Sequence, residues 1–205
     1  MFVIAKKLSA LAVAVLCLIT PPSQVLSGGA TTTTIFETQI TGEFELIGKT
    51  GKVVNNRDFR GQYMVVFLGY TFCPDICPTD LQAIADTLDL MGDKAQRVQP
   101  IFITLDPERD TPEVLADYVA NFHPRMIGLT GDKDQVRKAA DAFGAKYYKV
   151  LGSPTSEDNQ DKDAFYLMNH SAVIYLFGPE GDYLGHFPHG ADAKGMANEL
   201  KLVIE

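Results

Sequence analysis

The chain has 205 residues, with 18 Lys and Arg against 26 Asp and Glu, for a formal charge of −8. That length suits one domain with a sizeable core, and 46% apolar with 21% charged residues is an ordinary globular balance. The acidic surplus excludes a basic nucleic-acid footprint, so no nucleic-acid partner is expected.

The first 27 residues read as a targeting segment. Lys6 and Lys7 precede an apolar run from Leu8 to Ile19, followed by Thr20 and two prolines. The run has the length of a signal-peptide core and is short for a membrane span. Val25-Leu26-Ser27 offers a small-residue cleavage site before Gly28. Residues 1–27 are therefore expected to be a signal peptide or, if left uncleaved, a membrane anchor. Their loss would take two lysines from the −8 and leave −10. No arginine precedes Arg57, which argues against a mitochondrial presequence. Cys17 lies inside the apolar run and belongs to it. Export places the other two cysteines in an oxidising compartment.

Residues 28–41, rich in Gly and Thr, read as a flexible linker, and residues 42–205 as the folded domain. The alternation in 42–47, the Gly48–Gly51 turn and the resumption at 52–54 predict an N-terminal hairpin. The apolar run 63–69 predicts a central buried strand, and the stripe Leu81, Ile84, Ala85 and Leu88 predicts a helix over about 78–91. A second buried strand spans 98–105. Thr111 as N-cap, Pro112 at the first helical position and Glu113 in the first turn start another helix. A short strand at 126–129, a helix capped by Asp132 and a strand at 146–151 follow. The polar run 152–164 reads as a long loop, and such loops inside compact domains are usually functional or mobile. Strands at 172–177 and 182–187 about Gly178-Pro-Glu-Gly181, then a helix carrying Met196, Leu200 and Val203, close the chain. This order predicts an α/β fold: a thioredoxin-like three-layer sandwich with an N-terminal β-hairpin and a C-terminal β-hairpin plus helix.

The chemistry concentrates at Thr71-Phe72-Cys73-Pro74-Asp75-Ile76-Cys77-Pro78, between the central strand and its helix. With Pro78 at the first helical position, Cys77 lies at or beside the helix N-terminus, where free N–H groups favour a thiolate. C-x-x-C before a helix is a redox signature; this C-x-x-x-C is one residue wider. The two sulfurs can hold a soft metal ion or close into a redox-active disulfide, with a purely structural disulfide as the plain alternative. A metal site needs a third group. His170, between the polar loop and a strand in Asn169-His-Ser171, is the best candidate. Two sulfurs and an imidazole select Cu(I) and can take Cu(II) or zinc. His186 and His189 form a second cluster around a turn and read as surface residues, and His123 reads as a helix-end residue.

These residues carry a resemblance. Gly69-Tyr-Thr-Phe-Cys-Pro-Asp-Ile-Cys-Pro78, Asp106-Pro-Glu-Arg-Asp-Thr-Pro112, and His170-Ser171 followed by Tyr175-Leu176 and Gly178-Pro-Glu-Gly181 are similar to motifs of the SCO/SenC copper chaperones. The resemblance covers about residues 40–205. The N-terminal segment is shorter than that family's usual membrane anchor. The resemblance implies a thioredoxin-like fold and a copper ion, Cu(I) or Cu(II), held by Cys73, Cys77 and His170. It also implies a copper-site subunit of cytochrome c oxidase as partner, with another periplasmic copper chaperone or a thioredoxin-like reductant as further partners. The expected location is the bacterial periplasm, with membrane association only if residues 1–27 are retained.

Two functions then compete. A metallochaperone, not an enzyme, uses all three groups and passes copper to partner thiolates. A thiol–disulfide oxidoreductase keeping a partner's cysteines reduced needs only Cys73 and Cys77. A peroxidase is a third reading, disfavoured because both cysteines share one short loop. Asp106, at the end of the strand beside the cysteine strand, is expected to face the same end of the sheet and to support a ligand or guide a partner.

Overall fold

The computed structural model describes residues 40–151 and 166–204. The predicted targeting segment, residues 28–39 of the linker and the polar run 152–164 lie outside them. The N-terminal hairpin forms from β1 (Glu45–Ile47) and β2 (Val53–Asn55), antiparallel with Leu46 opposite Val54. A 3₁₀ turn at Asn56–Phe59 follows, closed by a capping box between Asn55 and Asp58.

The remaining elements alternate as their patterns require. They are β3 (Tyr63–Gly69), α1 (Ile76–Met91), β4 (Val98–Thr104), α2 (Pro112–Ala120), β5 (Ile127–Leu129) and α3 (Lys133–Ala142). Then come β6 (Tyr147–Leu151), β7 (Tyr166–His170), β8 (Val173–Phe177), β9 (Tyr183–Pro188) and α4 (Ala193–Val203). Thr111 caps α2 by accepting from the Val114 amide, with Pro112 at the first position. Asp132 and Gln135 form a reciprocal capping box on α3.

Five strands make one sheet in the order β5-β4-β3-β8-β9. The pairs β3–β4 and β4–β5 are parallel; β8 runs antiparallel to both β3 and β9. Every residue of β3 is buried, as a central strand covered on both faces demands. Its side chains divide the core by alternation. Val65 and Phe67 meet Leu81, Ile84 and Leu88 of α1, Leu115 and Val119 of α2, and Met196 and Leu200 of α4. Met64, Val66 and Leu68 meet Leu46 of β1 and Val136, Ala139, Ala140 and Phe143 of α3. Helices α1, α2 and α4 thus cover one face, and α3 with the hairpin covers the other, which is the predicted three-layer sandwich. Each large side chain so enclosed contributes roughly 1.5–3 kcal/mol relative to exposure.

Two local expectations need correction. Helix α1 starts at Ile76, so Pro78 is its third residue and not its first. It stays within the first turn, where the missing N–H costs no intrahelical bond. Residues 166–170 form a strand that the sequence reading left inside a connection. Strand β7 pairs antiparallel with β6 as a separate two-stranded sheet, with Tyr147 opposite His170.

Topology decides what meets at the C-terminal end of β3. Because β8 is antiparallel to β3, with Phe67 opposite Ile174, the start of β8 lies where β3 ends. The chain entering β8 from His170 therefore passes the turn that leaves β3 toward the cysteines.

Candidate metal centre

The cysteine arm is built by a strand end and a helix start. Gly69 closes β3, Tyr70 is buried, and the Cys73 amide donates to the Tyr70 carbonyl at 3.3 Å to form the turn. Cys77 is the second residue of α1 and is fully buried; Cys73 stands partly exposed in the turn. The Cys77 amide, one of the free donors of the helix N-terminus, points at Cys73 Sγ at 3.4 Å. Gly69 is needed because a Cβ there would sit 2.6 Å from Cys77 Sγ, closer than real contacts allow.

The histidine arm comes from β7. His170 Nε2 lies 3.5 Å from Cys77 Sγ. Its Nδ1 donates to the Ser171 carbonyl at 3.1 Å, which turns Nε2 toward the sulfurs, where it can donate to a thiolate when it carries a proton and ligate an ion when it does not. Phe67 and Tyr70 hold the imidazole edge-on, at centroid distances of 6.2 and 5.8 Å. Cys73 Sγ, Cys77 Sγ and a His170 ring nitrogen all lie within 4.8 Å of one another. Among the described residues this is the cluster of three or more Cys, His and acidic ligands that can close on one ion.

The two thiols share protons unequally. Cys73 is held well below the ordinary thiol range, first by a hydrogen bond from Cys77, against the opposing effect of burial, and further by His170 and the backbone amides of Asp75 and Cys77. Cys77 is pushed up by donating to Cys73 and by its burial. At neutral pH the pair therefore carries one thiolate, on the more accessible sulfur. A soft ion needs both sulfurs deprotonated and a neutral imidazole, and two sulfurs with one nitrogen suit Cu(I), with Cu(II) or zinc as other guests.

The other sequence candidates fall outside this cluster. Asp106, expected to support a ligand or guide a partner, is buried just past the end of β4, and its carboxylate bonds to groups outside the cluster. It accepts from Tyr166 Oη at 2.7 Å and from Arg109 Nε. His186 is exposed and hydrogen-bonded to Tyr183 Oη. His189 Nδ1 donates to Asp80 Oδ1 at 2.9 Å. His123 follows α2, where its Nδ1 accepts from the Arg125 amide.

Sequence reasoning missed Asp80 and Asp110, both fully buried carboxylates. Asp80 Oδ1 also accepts from the Gly190 amide at 3.1 Å, tying the β9–α4 connection to α1 one turn beyond Cys77, while Oδ2 is buried without a hydrogen-bond partner. Asp80 occupies the stripe that continues as Ile84 and Leu88, so an acid in a core position was the available signal.

A mixed sandwich with a thiol pair at a strand-to-helix turn and an imidazole facing it defines a thioredoxin-like protein fitted for a soft metal. A family model described as SCO1/SenC matches residues 32–205, and the chain belongs to that family. An SCO2-like protein of Rickettsia prowazekii is 39% identical over 163 residues, covering 80% of this chain and 76% of the relative. Among solved structures, ScoI of Bradyrhizobium japonicum with copper bound is 37% identical with a TM-score of 0.69, covering 80% of this chain and 98% of that one. ScoI of Arabidopsis thaliana with copper bound is 34% identical with a TM-score of 0.70, covering 79% and 96%.

Proposed function

We propose that this chain is a copper metallochaperone that takes Cu(I) on Cys73, Cys77 and His170 and passes it to the copper-site subunit of cytochrome c oxidase. The observation that carries the reading is the convergence of two sulfurs and one imidazole nitrogen within 4.8 Å, with no carboxylate among them. Relatives solved with copper bound support it. In this reading residues 1–27 direct export, and the protein works in the bacterial periplasm, free or held by that segment. Cys73, the partly exposed thiol, is where an incoming partner thiolate displaces the first bond, while Cys77, which is buried, and His170, which is partly exposed, retain the ion until exchange is complete.

The second reading, a thiol–disulfide oxidoreductase serving the same oxidase site, is favoured by the accessible Cys73 thiolate beside a resolving thiol. His170 separates the two, because disulfide exchange passes through the sulfurs alone. His170→Ala should retain the fold and the thiol pair but weaken Cu(I) binding about 10-fold or more, equivalent to ~1.4 kcal/mol. Complementation of a deletion strain with this variant, scored by oxidase activity across a copper series, tests the assignment. Failure at limiting copper fits the metallochaperone. Full rescue there, with disulfide reduction intact, overturns it in favour of the reductase.

A further inference from the structure

The turn leaving β4 holds two buried carboxylates, and each reaches a different arm of the candidate centre. The turn is closed on itself by the amides of Arg109 and Asp110, which donate to the Asp106 carbonyl at 3.2 and 3.0 Å. Asp106 reaches the histidine arm: it accepts from Tyr166 Oη, while Arg109, its ion-pair partner, donates to the Tyr166 carbonyl at 3.0 Å. Tyr166 begins the strand that His170 ends.

Asp110 reaches the cysteine arm. Its Oδ2 accepts from the Thr71 amide at 3.0 Å and from Thr104 Oγ1 at 2.6 Å, and its Oδ1 accepts from Thr71 Oγ1 at 2.5 Å. Thr71 lies two residues before Cys73. Thr104, at the end of β4, is itself completely buried and also accepts from the Asp106 amide. A carboxylate with no solvent exposure, spending three hydrogen bonds on one loop and one strand end, is a costly way to close an ordinary turn. Phe72, the residue between Thr71 and Cys73, is 56% exposed, and its ring lies 4.9 Å from the Arg109 guanidinium of the same turn, so the loop and the turn also meet there, while the hydrogen bonds to this stretch come from Asp110.

We infer that Asp110 is the positioning residue for Cys73: through Thr71 it fixes the turn that aims the Cys73 sulfur at the Cys77 amide and at the His170 imidazole. This rests on the copper reading for its consequence and on the hydrogen bonds alone for its geometry. The Cys77 amide, which donates to Cys73 Sγ, is a built-in reporter of where that sulfur stands.

The test uses the full chain, metal-free and reduced, in three variants: Asp110→Asn, Thr71→Val and Thr71→Ser. Amide hydrogen exchange by NMR should show the Cys77 amide exchanging at least ~5-fold faster in Asp110→Asn and Thr71→Val, while Val66 and Phe67 in β3 keep wild-type rates. Thr71→Ser, which restores the hydroxyl, should match wild type. Cu(I) affinity by chelator competition should fall about 10-fold in the first two and not in the third. Unchanged Cys77 exchange in Thr71→Val, or equal acceleration at Cys77 and in β3, overturns the inference. Should Asp110→Asn fail to fold, Thr71→Val, at a half-buried position, decides alone. If wild type binds no Cu(I), the function fails while the exchange result still stands or falls by itself.

Discussion

Gly69→Ala tests the geometry of the centre from outside its ligands. A Cβ at Gly69 would lie 2.6 Å from Cys77 Sγ, 3.0 Å from Phe102 Cε2 and 3.2 Å from Phe67 Cε1. Against an ordinary heavy-atom contact of roughly 3.6 Å, the sulfur stands about 1 Å too close. The strand cannot yield easily, since β3 is paired on both sides and buried along its length. The two rings leave the methyl no other direction. The Cys77 sulfur must therefore move by about 1 Å, out of its 3.5 Å approach to His170 Nε2.

Overpacking of this kind costs about 1–3 kcal/mol of stability. The same displacement should cut Cu(I) affinity at least ~10-fold. A double-mutant cycle with Cys77→Ala isolates the cause, since removing Sγ removes the clash. Gly69→Ala should cost clearly less in the Cys77→Ala background, with a coupling of ~1 kcal/mol or more in thermal or denaturant unfolding. Additive effects, or a Gly69→Ala protein with wild-type copper affinity, would refute the reasoning.

Three further outcomes are expected. Oxidation of Cys73 with Cys77 removes both thiolates, so disulfide-bonded protein should take up no copper until reduced; mass spectrometry showing copper on the oxidised form would contradict this. Cys73 is depressed and Cys77 raised, so near pH 7 the thiol pair gives up one proton on loading, from Cys77. In His170→Ala, where the two thiols are the remaining titrating ligands, Cu(I) affinity should therefore rise about tenfold per pH unit between pH 6 and 8, with about one proton released per ion, and a slope of zero or two would count against the shared-proton pair. Tyr166→Phe leaves buried Asp106 short of one donor and should lower stability by about 1–3 kcal/mol, read as a shift in the unfolding midpoint against the exposed-bond control Tyr183→Phe.

The fold was legible where burial is continuous or a cap is chemical. The run 63–69 could only be a covered central strand, and Thr111-Pro112 and Asp132 announced α2 and α3 by side chains that satisfy free amides. Strand β7 was not legible. Tyr166-Leu-Met-Asn-His170 is short, and its neighbour among the described residues, β6, lies across the polar run 152–164, so its register rests on a partner that local periodicity does not announce. Cys73, Cys77 and His170 were nameable as candidates, because two thiols at a helix start and a histidine beside a strand together make a soft donor set. Their support was harder to read. Asp106 and Asp110 occur in one short acidic stretch, and sequence spacing cannot tell which carboxylate reaches the cysteine loop. The expectation fell on Asp106 as the strand-end residue; the carboxylate bonded beside Cys73 is Asp110.

The arrangement also explains why the cysteines alone cannot distinguish copper transfer from disulfide exchange. Both reactions begin with a partner sulfur reaching this protein, and only Cys73 can be reached, because Cys77 has no exposed surface. Both next require the second sulfur to act from inside, as a retained ligand in one case and as the resolving thiol in the other. The unequal sharing of protons serves either: a thiolate outside to react, a thiol inside held in reserve until a metal or a disulfide replaces its proton. What disulfide exchange can proceed without is an imidazole whose Nδ1 donates to the Ser171 carbonyl and whose Nε2 is thereby turned to the buried sulfur at 3.5 Å. As a proton acceptor alone, it would assist only the buried thiol. As a ligand it completes a three-donor set, and that difference makes the imidazole, more than the cysteines, the residue on which the copper reading stands.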